Sequence, residues 1–150
     1  MYRGISSVNL DTKGRFAVPT KYRDSLTKTG ATLVVTIDTE EHCLLLYPIE
    51  VWEGIEEKIQ ALPSFNQATR RIQRLLIGHA TEVDMDAQGR ILLAPILREH
   101  AKIERGVVLV GQGKKFEIWS KDHWESQRTL WLSQEAGEME EADALEDISV

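Results

Sequence analysis

Residues 11–19 read DTKGRFAVP, and this stretch decides the fold. Asp11 suits the first position of a type I turn, where its carboxylate can bond backbone amides, and Gly14 suits the fourth, where a bulge needs positive φ. The pattern predicts a hairpin whose flanking strands pair, with Arg15 at its tip. Pro19 then ends the second strand and begins a short helix over residues 20–26, because its ring fits a first helical turn and removes a ladder donor.

The same chemistry returns 75 residues later as DAQGR, residues 86–90, and the shared string is D-x-x-G-R-x7-R. A repeat of this kind indicates two copies of one unit, each predicted as β-β-α-β-β. The copies span residues 4–51 and 79–124, a helical pair fills residues 52–78, and residues 125–150 hold a C-terminal helix and an acidic tail.

A unit of about 48 residues is too small to bury a sufficient core alone, so the two copies are expected to pair. We predict an α+β fold, mainly β, in which eight short strands close into a barrel about a pseudo-twofold axis. Two helices, residues 49–62 and 64–76, should pack outside it. Pro63 and Ser64 would separate them as a breaker and an N-cap.

The net charge of −6 hides two separate features. Residues 134–150 hold seven acids and no base, so this tail is expected to be poorly ordered and dispensable for folding. Residues 1–30 hold six bases against two acids. Such a basic region attracts polyanions even though the whole chain is acidic.

Several classes of protein are excluded by what the sequence lacks. It has no apolar run long enough to span a membrane and no signal-peptide pattern, so we expect a soluble, cytoplasmic protein without a membrane partner. No nucleophile, phosphate-binding or dinucleotide motif occurs, so we expect no enzyme, cofactor or small-molecule substrate. The four histidines lack ligand spacing and Cys43 is alone in an apolar run, so we expect no metal site.

The remaining polar feature is a pair of predicted turns, each with an arginine at its tip. A guanidinium is planar and bidentate and suits guanine or phosphate, so Arg15 and Arg90 could contact DNA. They could equally be surface charges or pair with Asp11 and Asp86 inside their own turns, and spacing alone does not decide. Arg23 and Arg98 are each followed by an acid on a helix, and we expect them to form ion pairs with the turn aspartates.

Longer stretches of the chain resemble the MraZ family. The residues that carry the resemblance are Tyr2-Arg3-Gly4 and the segments DTKGRFAVPTKYR (11–23), CLLLYP (43–48), RIQRLLIGHA (71–80) and GRIL (89–92). The resemblance implies a bacterial transcriptional regulator in which two SpoVT-AbrB-type units form a swapped-hairpin barrel and assemble into rings. It also implies binding to direct repeats upstream of its own division and cell-wall gene cluster, with repression there and a place on the nucleoid.

The resemblance further implies that the turn residues Asp11, Lys13, Arg15, Asp86 and Arg90 contact DNA. Gln88 stands where the first copy has lysine, so the second turn should attract DNA less strongly. The candidate DNA-binding residues are Arg3, Lys13, Arg15, Lys21 and Arg90, and the turn-organising residues are Asp11, Gly14, Asp86 and Gly89. The expected partners are double-stranded DNA and further copies of the chain. The alternative is a ring-forming scaffold without a nucleic-acid partner.

Overall fold

The computed structural model describes residues 1–134 and residue 148. The strands are β1 (Tyr2–Asn9), β2 (Arg15–Ala17), β3 (Thr32–Ile37), β4 (Leu44–Pro48), β5 (Thr81–Asp84), β6 (Arg90–Leu92), β7 (Gly106–Gly113) and β8 (Lys115–Ser120). The helices are α1 (Thr20–Leu26), α2 (Ile49–Gln60), α3 (Gln67–Ile72), α4 (Pro95–His100) and α5 (Lys121–Ser133), and a π-helical segment, Gln73–Ile77, follows α3. The fold is α+β and mainly β, as predicted. Apart from Gln134 and Ile148, the predicted acidic tail lies outside the described residues.

All the strand pairs are antiparallel, and most of them join one half of the chain to the other. Six strands form a sheet in the order β1-β7-β8-β4-β3-β5, while β2 and β6 pair separately. The first strand of each half pairs with the third strand of the other half, β1 with β7 and β5 with β3. The two halves therefore interlock with matching partners.

The strand ladders of the described residues form no closed eight-stranded barrel, so that part of the prediction is not confirmed. The six-stranded sheet is open, with β1 and β5 at its edges. The predicted ladder between the strands that flank each turn is also not formed, because β2 takes its partner from the other half: Phe16 stands opposite Ile91. A strand of three residues makes few ladder bonds, and β2 and β6 gain more by burying Phe16 and Ile91 together.

The main core lies between the inner face of the sheet and the β2–β6 pair. Alternation along the strands builds it: in β3, Leu33, Val35 and Ile37 point into this core while Val34 points to the other face. Phe16 and Ile91 close the core from the opposite side, at 1% and 0% exposure. The paired short strands are thus packed against the sheet through these two side chains.

The outer face of the sheet is covered in two places. Helix α2 places Trp52 against Val34 and Tyr47. Helix α5 places Trp124 and Trp131 against Trp119, with ring centroids 5.6 and 5.8 Å apart in edge-to-face contact. Trp52 and Trp119 are therefore buried core residues, and Trp124 and Trp131 are partly buried against Trp119.

The two helices after β4 were predicted as residues 49–62 and 64–76, with Ser64 as the cap. Helix α2 ends at Gln60, and Asn66 caps α3, because its Oδ1 accepts from the backbone NH of Ala68 at 2.8 Å. The π-helical segment frees backbone carbonyls, and the Thr36 hydroxyl donates to that of Leu76 at 2.6 Å. No helix in the described part of the chain is both long and apolar enough to cross a membrane.

Candidate nucleic-acid interface

Strands β2 and β6 form a two-stranded ribbon with two different faces. Phe16 and Ile91 stand opposite each other on the inner face and are buried. The residues on either side of them point outward, so the outer face carries Arg15 opposite Leu92 and Ala17 opposite Arg90. The two arginines lie diagonally on this face, two positions apart along the ribbon.

Each end of the ribbon begins at an aspartate-organised turn. Asp11 Oδ1 accepts from the backbone NH groups of Lys13 and Arg15, both at 2.9 Å, and Oδ2 accepts from Arg15 Nε at 2.8 Å. Asp86 repeats the arrangement with Gln88 and Arg90, at 3.0, 2.8 and 2.8 Å. In each turn, the aspartate thus binds both the backbone and the arginine side chain.

These hydrogen bonds also fix the charge of the two carboxylates. The backbone NH of Arg15, followed by its guanidinium, lowers the pKa of Asp11, and Arg90 lowers the pKa of Asp86 in the same way. Both aspartates are ionised at neutral pH. Each guanidinium is therefore held by a permanent charge in its own turn.

The two guanidinium groups differ in the hydrogen bonds of their Nη atoms. In the described part of the chain, the side chain of Arg15 forms hydrogen bonds only through Nε. Arg90 also donates from Nη2 to Gln88 Oε1 at 3.1 Å. Both Nη atoms of Arg15 therefore remain available for a bidentate contact. One Nη atom of Arg90 is already bonded to Gln88.

The glycines of the turns approach arginines of the opposite half. Gly14 has φ +86°, and a Cβ added to it would stand 3.0 Å from Cζ of Arg98. Gly89 has φ +76°, and a Cβ there would overlap the guanidinium of Arg23, whose Nε donates to the Val18 carbonyl at 2.7 Å. The prediction that Arg23 and Arg98 form ion pairs with the turn aspartates is wrong. They pack over the turn glycines because Arg15 and Arg90 already occupy the aspartates.

The other candidate DNA-binding residues lie in two places. Lys13 is exposed at the first turn, next to Arg15. Arg3 lies eight residues before Asp11 along β1, about 27 Å away for an extended strand. Its carbonyl accepts from the Tyr22 hydroxyl at 2.6 Å, and Lys21 Nζ stands 5.0 Å from the centre of the Tyr22 ring. Arg3 and Lys21 thus gather around Tyr22, and their contact with DNA stays a prediction.

One protein-family model matches this chain twice, once in each of the two repeated halves. The family model described as "MraZ protein, putative antitoxin-like" matches residues 1–75 and again residues 76–146. The chain belongs to the MraZ family. The resemblance predicted from the sequence is therefore confirmed.

The relatives of this MraZ-family chain cover nearly all of its length. A protein of Legionella pneumophila (strain Corby) is 59% identical over 137 residues, 91% of this chain and 90% of the relative. One of Coxiella burnetii (strain RSA 493) is 55% identical over 136 residues, 90% of each chain. One of Haemophilus influenzae (strain PittEE) is 51% identical over 100% of both. Each of the three carries the name "Transcriptional regulator MraZ".

The MraZ-family chain also brings its four histidines into one row, which the sequence did not predict. Ring centroids are 5.6 Å apart for His42 and His100, 6.0 Å for His42 and His123, and 6.5 Å for His79 and His100. Within the described residues, the buried Nε2 atoms of His100 and His123 have no hydrogen-bond partner. Burial, followed by His42, lowers the pKa of His100. The histidines come from separate elements, so no local spacing could have revealed the row.

Cys43 is fully buried beside Val108 and Trp119, as expected for a lone cysteine in an apolar run. Its Sγ lies 3.7 Å from Asp38 Oδ2, and ligand atoms of Asp38, Cys43 and Glu117 lie within 4.8 Å of one another. By spacing, these three could hold a metal ion. Burial raises the pKa of the thiol, which is therefore protonated and a poor ligand at neutral pH.

Proposed function

We propose that this chain is a sequence-specific DNA-binding transcriptional regulator that reads DNA with the outer face of the β2–β6 ribbon. The observation that carries the proposal is the pair of arginines on that face, each held by an aspartate of its own turn. The name shared by the relatives, transcriptional regulator, supports it.

The dimensions of the ribbon suit a DNA groove. A two-stranded ribbon fits the major groove, which is about 12 Å wide. Two positions along an antiparallel strand span about 7 Å, close to two base steps at about 3.4 Å each. Arg15 and Arg90 therefore address base pairs two steps apart, while Phe16 and Ile91 hold the ribbon from behind.

Asp11 orients the guanidinium of Arg15 for contact with a base. Asp11 binds Arg15 at Nε and so fixes the plane of the guanidinium without occupying its Nη atoms. Those atoms match O6 and N7 of guanine, the commonest specific contact in the major groove. Lys13 adds a positive charge beside them for a phosphate, whereas the second turn has Gln88 instead.

A single protomer has too little charge to bind DNA tightly. Residues 1–133 carry a net charge of +1, so nonspecific dissociation constants should be on the order of 10⁻⁴ M or weaker at physiological salt. Several linked protomers on repeated sites raise the avidity by ~10² to 10⁴. We therefore propose a homo-oligomeric ring on direct repeats upstream of its own division and cell-wall genes, acting there as a repressor.

The interlocked halves support the organisation that such a regulator would need. Each half gives its first strand to the other, which is the exchange implied by a swapped-hairpin barrel of two SpoVT-AbrB-type units. The proposed boundaries are residues 4–51 and 79–124. The proposal contains no catalytic step, cofactor or membrane contact.

An equilibrium titration tests the proposed function directly. DNA from upstream of the protein's own gene is titrated beside a scrambled duplex of the same length and composition. The upstream DNA should bind at least ~10³-fold more tightly at physiological salt, the lower end of the usual range for specific over nonspecific binding. Equal affinity for both duplexes would reject the regulator and favour a scaffold without a nucleic-acid partner.

A further inference from the structure

The histidine row lies where the turn between β3 and β4 meets two helices of the second half of the chain. His42 belongs to that turn, His100 is the last residue of α4, and His123 lies in the first turn of α5. The ring centroids of His100 and His123 are 5.6 and 6.0 Å from that of His42, which is therefore their shared neighbour. His79 follows beyond His100, at 6.5 Å. The row thus connects both halves of the chain.

Two of these imidazoles present a buried nitrogen atom without a partner. Within the described residues, the Nε2 atoms of His100 and His123 are shielded from solvent and form no hydrogen bond. Buried polar atoms are normally paired with protein, water or an ion, because an unpaired one keeps the full cost of its desolvation. Both atoms belong to rings next to His42, which is exposed in its turn and can rotate toward them. A partner shared by several imidazoles would satisfy both.

The charge of the surroundings suits a cation as that partner. Burial, followed by His42, lowers the pKa of His100, so its imidazole is neutral at pH 7 and keeps a lone pair. Neutral imidazole is the commonest metal ligand in proteins. Residues 38–43, the turn that carries His42, hold three acids and no base. Their negative charge favours a positive ion beside the turn.

The spacing of the rings suits one tetrahedral ion. Zn²⁺ binds imidazole nitrogen at about 2.1 Å in tetrahedral geometry, which places the centres of two bound rings about 5 Å apart. The two distances from His42 exceed this separation by about 1 Å or less, and rotation of its exposed side chain can close that difference. A depression of about 510 Å³, whose rim carries both bases and acids, reaches His123 from solvent and gives an ion its path.

A second group with ligand chemistry, formed by Asp38, Cys43 and Glu117, suits an ion less well. Its ligand atoms lie within 4.8 Å of one another. Burial raises the pKa of the Cys43 thiol and also that of Glu117, so both hold their protons more tightly than usual. An ion at this group would have to displace the thiol proton, whereas His100 is neutral already.

We propose that His42, His100 and His123 bind one divalent metal ion of the Zn²⁺, Ni²⁺ and Cu²⁺ class, for which imidazole is a preferred ligand. Water fills the fourth position. His79 stays outside the ligand set, because its ring is the farthest from its neighbour and its Nδ1 lies 2.8 Å from the Leu75 carbonyl. The ion joins the β3–β4 turn of the first half to α4 and α5 of the second, so it stabilises the folded chain. The inference is independent of the proposed function.

Titration with Zn²⁺ tests the site directly. Protein purified without a histidine tag is freed of metal by dialysis against a chelator and titrated in a calorimeter. The parent should bind one Zn²⁺ per protomer with a micromolar or tighter dissociation constant. His42→Asn, His100→Asn and His123→Asn should each weaken binding by at least ~10²-fold, because even residues that only hydrogen-bond to a metal ligand contribute ~10- to 100-fold.

Two matched controls define the ligand set. His79→Asn removes an imidazole from the same row, and Cys43→Ala removes the neighbouring thiol; both should keep the parent's affinity. Circular dichroism establishes that each variant is folded, and His42→Asn, at an exposed position, decides the matter even if the other two variants do not fold. Retained affinity in His42→Asn overturns the inference. Loss of affinity in either control overturns the proposed ligand set, and in Cys43→Ala it would place the ion at Asp38 and Glu117.

Thermal unfolding gives a second measurement of the same site. With Zn²⁺ at about 100 times its dissociation constant, the unfolding midpoint of the parent should rise by about 5 to 10 °C. The midpoint of His42→Asn should not move at that concentration. A parent that takes up no Zn²⁺, or takes it up with the millimolar constant of scattered surface histidines, overturns the inference.

Discussion

The guanidinium of Arg98 packs directly over Gly14, across the boundary between the two halves of the chain. Arg23 packs over Gly89 in the corresponding place. Each aspartate-organised turn is thus shaped by a side chain from a helix of the other half, and both glycines have positive φ. Their substitution should disturb the turn and the join between the halves at once.

Gly14→Ala should lower the free energy of unfolding by about 1 to 3 kcal/mol, because alanine is strained at φ +86° and its Cβ meets Arg98. Gly89→Ala should cost more, since its Cβ overlaps the Arg23 guanidinium. Urea denaturation measures both. Gly54→Ala is the matched control: Gly54 lies in α2 with open space around it, so alanine should be neutral or stabilise by up to about 1 kcal/mol. Equal effects at all three glycines would contradict the packing argument.

Arg15→Ala should weaken specific DNA binding by about 1 to 3 kcal/mol, the range for a good bidentate base contact. Arg90→Ala should cost less, because Gln88 already takes one of its Nη donors. Equilibrium titration against upstream and scrambled DNA measures both variants. Arg105→Ala, at an exposed position outside the ribbon, serves as control. If both ribbon variants bind like the parent, the ribbon is not the reading surface.

Stability should fall as the pH is lowered through about 6.5, the ordinary pKa of histidine. Burial lowers the pKa of His100 in the folded state, as does neighbouring His42, so the unfolded chain binds protons first. The fall should level off below the folded-state pKa. Chemical denaturation between pH 7.5 and 5.0 measures it, and His100→Asn should make the fall shallower.

The contributions of other titratable groups can be separated from that of His100 in the same experiment. The pKa values of Asp11 and Asp86 are lowered, so their contribution is lost only near and below pH 3.8, outside the range measured. Burial raises the pKa of Glu117, which acts in the opposite sense, and the difference between parent and His100→Asn removes its effect. An unchanged pH profile in the variant would show that another group is responsible.

DNA with several direct repeats should bind ~10² to 10⁴ times more tightly than DNA with one repeat, because later contacts become intramolecular. Titration of both duplexes, together with light scattering of the protein, measures the gain. Duplexes with the same repeats at altered spacing provide the control. A monomer that binds one repeat as tightly as several would refute the avidity mechanism.

Much of the fold could be predicted because it is encoded locally. Turn chemistry at Asp11 and Gly14, proline at residue 19 and β-branched runs indicated the elements, and helix α1 has the predicted bounds. Which strand pairs with which could not be predicted, since every ladder between the halves joins residues far apart in sequence. The cap of α3 was misplaced because Ser64 and Asn66 are both good caps and only packing decides between them.

The candidate site was predictable in its residues and not in its contacts. The repeated D-x-x-G-R string identified both turns. Spacing could not decide which arginine each aspartate binds, because Arg15 and Arg23 are both within reach of Asp11 in the chain. In the structure, Arg15 forms the ion pair with Asp11, and Arg23 packs over Gly89.

The ribbon has a consequence for how the protein is made. Arg15 pairs with Leu92, so a ribosome must add roughly 75 residues after β2 before its partner exists, which takes roughly 4 to 15 s. During that interval Phe16 has no ribbon partner to cover it. The outer face of the ribbon therefore forms late in synthesis, and a nascent chain interrupted after the first half has none.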